Sequence, residues 1–83
     1  MNYIITGGAG FIGSHLCDYL LELKKTKKII IIDNLKDGSK KNLDLSLKSK
    51  KVHLFRKDIR NKKSFSNLFK NIDIVFHLAA QSD

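Results

Sequence analysis

Apolar positions along this chain of 83 residues cluster into short runs, and between the runs they recur at helical spacing. Tyr3-Ile4-Ile5-Thr6 closes a strand predicted over 2–6, and Ile29-Ile30-Ile31-Ile32 fills one predicted over 28–33. The isoleucine run does not alternate with polar residues, so it suits a parallel strand buried on both faces. Val52-His53-Leu54-Phe55 reads as a third strand ending near Asp58, and Asp73-Ile74-Val75-Phe76-His77-Leu78 as a fourth. Leu16, Leu20 and Leu23, at i, i+4 and i+7, form the inward stripe of a helix expected over 11–25, with Lys24, Lys25, Lys27 and Lys28 at its C-terminal end. Phe65, Leu68, Phe69 and Ile72 predict another helix over 61–71, and a short one is expected around Asn42–Leu47. Strand and helix alternate, which implies an α/β fold with a parallel sheet and right-handed crossovers.

The first strand breaks into Gly7-Gly8-Ala9-Gly10-Phe11-Ile12-Gly13. Glycines 7, 10 and 13 give the spacing G-x-x-G-x-x-G between a strand and a helix. One glycine makes the tight turn, the next lets bare backbone approach a ligand, and the third allows close helix packing. Unpaired N–H groups at the helix start then face negative charge, so the pattern suits a diphosphate. Asp33 ends the second strand twenty residues after Gly13, the offset of a carboxylate that accepts hydrogen bonds from an adenosine ribose. Such a carboxylate repels a 2′-phosphate and so favours NAD over NADP. The alternative reading of Asp33 is a solvated turn aspartate.

These residues resemble the start of extended short-chain dehydrogenases/reductases, the NAD-dependent sugar-nucleotide epimerases and dehydratases. The resemblance runs from Thr6 to Gly13 and through Asp33-Asn34-Leu35, Asp37-Gly38-Ser39 and Asn42-Leu43. It resumes at Asp58-Ile59-Arg60 and His77-Leu78-Ala79-Ala80-Gln81, and so covers essentially the whole chain. The Asp-Asn-Leu and Asn-Leu segments look most like UDP-glucose 4-epimerases, and the His-Leu-Ala-Ala-Gln-Ser-Asp end is also similar to dTDP-glucose 4,6-dehydratases. Ser82 stands where epimerase-like members often carry a lysine.

The resemblance implies a Rossmann-like sheet, the first four strands in the order 3-2-1-4. It implies cofactor contacts at Gly7, Gly10, Phe11, Ile12, Gly13, Asp33, Asn34, Asp58, Ile59, Leu78, Ala79 and Ala80. Asp58 and Ile59 would bracket the adenine, and Leu78, Ala79 and Ala80 would lie along the cofactor. Asp58 also reads as a turn carboxylate, and Leu78 as plain strand packing. In the complete enzyme, expected to be a homodimer acting on an NDP-sugar, the sugar C4 is oxidised transiently with NAD as hydride acceptor. The family's catalytic Tyr-x-x-x-Lys is not found here, because the residues four after Tyr3 and Tyr19 are Gly7 and Leu23. No catalytic residue is therefore assigned. The expectation for residues 1–83 is the N-terminal part of an NAD-binding domain, without the catalytic and substrate regions. Alone it is expected to be inactive, marginally stable and open at the edge of its fourth strand.

Composition narrows the remaining classes. Hydrophobic content of 42% and charged content of 29% are those of a globular domain. No apolar stretch approaches the roughly 20 residues of a membrane span, and no signal peptide is visible. A single cysteine, Cys17, rules out an internal disulfide and fits a reducing cytoplasm. Its expected role is a small buried apolar residue. His15, His53 and His77 lack metal-like spacing, so no metal site is expected; His77 is expected to support its strand end. The net charge of +8 raises nucleic-acid binding as a class. Only Arg56 and Arg60 among the sixteen basic residues are arginine, and no aromatic-interleaved strand accompanies the scattered lysines. A solvated surface explains the charge better. A non-catalytic NAD-binding module, or a gene remnant, remains the alternative to the enzyme reading.

Overall fold

The computed structural model describes residues 1–35, 40–58, 60, 63 and 66–79. Strands β1 (Asn2–Thr6), β2 (Lys28–Asp33), β3 (Val52–Arg56) and β4 (Ile74–His77) form one parallel sheet in the order β3-β2-β1-β4. This is the expected 3-2-1-4 arrangement. The two central strands carry the unbroken apolar runs: Ile4, Ile5, Ile29, Ile31 and Ile32 are fully buried. Pairing sets Ile4 beside Ile30 and Val75, and Ile5 beside Ile31 and Phe76, so each register row shares a face.

Each face has its own cover. Helix α1 (Phe11–Glu22) packs Cys17 and Leu20 against Tyr3, Ile5, Ile29 and Ile31, and Leu43 and Val52 complete that cluster. On the opposite face Ile4, Ile30 and Ile32 meet Phe55, Leu68 and Ile72. The β2–β3 connection thus lies with α1, and the β3–β4 connection crosses the other face. Leu16 and Leu23 of the predicted stripe are only partly buried, while Cys17 and Gly13 share the inward surface with Leu20.

Three elements differ from expectation. Helix α1 stops at Glu22 rather than near 25, because Leu23 is extended (φ −80°, ψ 128°) and its N–H bonds the Leu20 carbonyl at 3.1 Å. The buried Thr26 hydroxyl donates to the same carbonyl at 2.6 Å. The lysines from 24 to 28 therefore follow the helix instead of covering its last turn. The short helix around Asn42–Leu47 is two 3₁₀ turns, Lys40–Leu43 and Ser46–Lys48.

In the predicted helix over 61–71, the described residues Ser66–Phe69 form a 3₁₀ turn. Among the described residues of its stripe, Leu68 and Ile72 reach the sheet while Phe69 is exposed; Phe65 lies outside the described residues. The turn ends at Asn71 in a left-handed conformation (φ 63°). The Asn71 carbonyl accepts from Asn2 Nδ2 at 3.0 Å, and Asp73 Oδ2 accepts the Asn2 N–H at 2.7 Å. These bonds fix where β4 begins beside β1.

Candidate functional site

The carboxyl ends of β1, β2 and β4 lie side by side, with Thr6 opposite both Ile32 and His77. Ligands of open α/β sheets bind at such strand ends. The chain leaves β1 through Gly7, whose N–H donates to the Ile32 carbonyl at 2.8 Å. Gly7 has φ 75°, and a Cβ there would stand 2.8 Å from the Ala79 nitrogen, so a side chain is excluded by both conformation and space. A Cβ on Gly13 would come within 2.5 Å of the Gly7 oxygen and 2.6 Å of Gly8 Cα. The first turn of α1 therefore sits directly against the loop.

Gly10 is different. The nearest atom to a Cβ built there is the Gly7 oxygen at 3.4 Å, which is ordinary contact on an otherwise open side. Gly10 is the N-cap of α1, with no side-chain cap bond, and the first helical turn carries no acidic residue. The first turn thus brings no capping side chain or carboxylate of its own to the positive end of the helix, which is bordered by bare backbone and so fits a diphosphate. Phe11 and Ile12 flank it, 75% and 72% exposed. The Phe11 ring meets His15 edge-on at 4.5 Å between centroids.

Asp33 is buried, only 7% exposed, and is not a solvated turn carboxylate. Its Oδ2 accepts the Ala9 N–H at 2.9 Å, and its Oδ1 accepts the Leu35 N–H at 2.7 Å. The second bond holds Leu35 at φ 61°, a left-handed conformation that costs a non-glycine residue about 1–2 kcal/mol. Each carboxylate oxygen keeps a second lone pair for a further donor. The strand-end carboxylate and the glycine loop are therefore one hydrogen-bonded unit.

Asn42, from the first 3₁₀ turn, donates through Nδ2 to the Ala9 carbonyl at 2.8 Å. Across the loop, the Leu78 N–H bonds the Thr6 carbonyl at 3.0 Å, and the Ala79 N–H reaches Thr6 Oγ1 at 3.4 Å. Thr6 Oγ1 also pairs with His77 Nδ1 at 2.7 Å, so His77 supports the strand end.

Of the residues singled out in the sequence, Gly7, Gly10, Gly13, Asp33, Leu78 and Ala79 come together on this rim. Asn34 is exposed beside it. Asp58 follows Lys57, whose N–H bonds the Asp33 carbonyl at 3.1 Å. Its carboxylate is gripped by Arg60, with Nη2 2.7 Å from Oδ2 and the Arg60 N–H 2.9 Å from Oδ1. That hydrogen bond and the adjoining charge raise the Arg60 pKa above its ordinary value. Ile59 and Ala80 lie outside the described residues.

Gly8, Thr6 and the loop contact of Asn42 are site features that the motif at Gly7, Gly10 and Gly13 does not single out. A Cβ on Gly8 would stand 2.5 Å from Ile31 Cγ2, so the loop can lie on β2 only if this residue is bare. The signal was available, because Gly8, Gly10 and Gly13 also spell G-x-G-x-x-G. Burial pushes the Cys17 thiol above its usual pKa; a hydrogen bond with Ser46 opposes the rise and the Asp18 charge adds to it. Among the described residues no cluster of three or more His, Cys, Asp or Glu could hold a metal, and no helix is long and apolar enough to cross a membrane.

This geometry has close counterparts. The chain is 42% identical over 79 residues to a putative UDP-glucose 4-epimerase of Methanocaldococcus jannaschii, covering 94% of this chain and 24% of that protein. It is 45% identical over 80 residues to a dTDP-D-glucose 4,6-dehydratase of Dictyostelium discoideum, covering 93% of this chain and 18% of that protein. The crystal structure of DesIV, a dTDP-glucose 4,6-dehydratase from Streptomyces venezuelae with NAD and TYD bound, superposes with a TM-score of 0.91 at 31% identity. That match covers all of this chain and 27% of DesIV. The chain thus spans about a quarter or less of the proteins it matches. Residues 3–83 also match the sequence profile of one family, and with the glycine loop, Asp33 and the strand order in place, the chain belongs to the NAD dependent epimerase/dehydratase family.

Proposed function

We propose that residues 1–83 form the N-terminal part of an NAD-binding domain, serving a sugar-nucleotide epimerase or dehydratase that acts on C4 of an NDP-sugar. The observation that carries this reading is the coupling of an open helix N-terminus at Gly10 to a buried strand-end carboxylate through the Ala9–Asp33 hydrogen bond. NAD, when bound, supplies the hydride acceptor and donor, and the protein supplies binding and orientation.

In this reading the backbone from Gly10 to Gly13 takes the diphosphate, and the free lone pairs of Asp33 accept the ribose hydroxyls, with Asn34 beside them. Asp58 and Ile59 serve the adenine; Phe11, Ile12, Leu78, Ala79 and Ala80 line the cofactor. The proton-transfer pair Tyr-x-x-x-Lys is not among these 83 residues, so they bind without turnover. The complete enzyme is proposed to be a cytoplasmic homodimer, an isomerase or lyase by reaction type.

Cofactor choice tests the reading. Calorimetric titration of the purified chain is expected to show NADP binding at least about tenfold weaker than NAD, because a 2′-phosphate would face the Asp33 carboxylate at close range. Equal affinities, or preference for NADP, would remove Asp33 from the ribose.

A further inference from the structure

The loop that faces the helix N-terminus is held at one residue from both sides. The Ala9 N–H is bonded by Asp33 at 2.9 Å and the Ala9 carbonyl by Asn42 at 2.8 Å. These groups belong to successive peptide planes. Asp33 fixes the plane between Gly8 and Ala9, and Asn42 fixes the plane between Ala9 and Gly10. The second plane includes the Gly10 N–H, which bonds the Gly7 carbonyl at 3.2 Å. Rotation of that plane would carry the Gly10 N–H away from Gly7 and turn the Ala9 oxygen toward the helix start. A carbonyl oxygen there would repel an anion.

We propose that Asn42 is a positioning residue for diphosphate binding: by holding the Ala9 carbonyl it keeps that oxygen turned away from the anion and the Gly10 N–H on the Gly7 carbonyl. This inference rests on the reading of the loop as a diphosphate site. Asn42 is itself exposed, but its neighbour Leu43 is fully buried against the α1 face of the sheet. Leu43 anchors the 3₁₀ turn and sets how far the amide can reach. The contact spans 33 residues of sequence and joins the β2–β3 connection to the first loop.

The test is a backbone-amide NMR titration of the wild-type chain, Asn42→Ala and the near-isosteric Asn42→Leu, with ADP and with adenosine as separate probes. Both variants are expected to bind ADP about five- to tenfold more weakly, the scale of one lost hydrogen bond, and adenosine within about twofold of wild type. The ligand-free Gly10 amide is expected to exchange faster in both variants, while amides of β2 keep their protection. An equal loss for both ligands would overturn the proposal in favour of a general structural role, and unchanged ADP affinity would overturn it outright. If the wild-type chain binds no ADP, the diphosphate reading itself fails. The Gly10 exchange rate would then still report whether Asn42 sets that peptide.

Discussion

The glycines of the first loop share a residue type and differ in what each permits. Gly13 permits contact: its missing Cβ is the space occupied by the Gly7 oxygen and Gly8 Cα. Gly10 permits access, because among the described residues nothing lies closer than 3.4 Å to where its Cβ would be and its backbone (φ −74°, ψ 174°) suits any residue. The two alanine substitutions are therefore expected to separate stability from binding. Gly13→Ala must displace backbone, and a loss of about 1–3 kcal/mol in urea denaturation is expected, as for an overpacked core. Gly10→Ala is expected to cost under about 1 kcal/mol, near the penalty of alanine at an N-cap, and yet to weaken ADP binding by crowding the helix start. Similar stability losses for the two variants would contradict these assignments. The spacing in the sequence announced a phosphate loop and distinguished a turn, an access and a packing glycine, but only at positions 7, 10 and 13. Gly8 went unranked because its constraint comes from Ile31, on another strand.

Element boundaries were legible where the apolar pattern and the backbone agreed. The four strands lie where the runs of isoleucine, valine and aromatic residues put them, because burial on a parallel sheet selects those side chains locally. Helix ends were less legible, since they depend on individual hydrogen bonds. Lys24 and Lys25 would extend α1 by propensity, but Thr26 folds back and bonds the Leu20 carbonyl with a side chain 2% exposed. Replacing Thr26 with valine keeps the volume and removes that donor. A destabilisation of about 0.5–1.5 kcal/mol by chemical denaturation is expected, with faster amide exchange confined to the last turn of α1. An unchanged midpoint would mean that the Leu23 N–H alone satisfies that carbonyl. The helix expected over 61–71 misled for a related reason. Its apolar spacing is real, but the turn serves to lay Leu68 and Ile72 on Ile4, Ile30 and Ile32, and Asn71 then reverses the chain into β4.

At the scale of the whole molecule, the sheet order follows from topology and the site follows from the order. Placing β1 between β2 and β4 sets Gly7, Asp33 and Ala79 on one rim, although they are far apart in sequence. The hydrogen bonds that unify that rim, from the Ala9 N–H to Asp33 and from Asn42 to the Ala9 carbonyl, had no sequence signal beyond the residues' presence. Such contacts exist only once the β2–β3 connection is folded over the loop. The sheet also leaves Ile74 and Val75 of β4 exposed at its border, 38% and 44%. Apolar exposure on an edge strand is an invitation to further pairing, so binding studies belong at low protein concentration.

NAD binding at this rim is tested most simply by titrating the purified chain and following its backbone amides residue by residue. Saturable one-to-one binding is expected, with the largest shifts from Gly7 to Gly13, at Asp33 and Asn34, and at Leu78 and Ala79. Absence of saturation at millimolar NAD, or shifts centred on the opposite ends of the strands around Asn2 and Lys28, would contradict it.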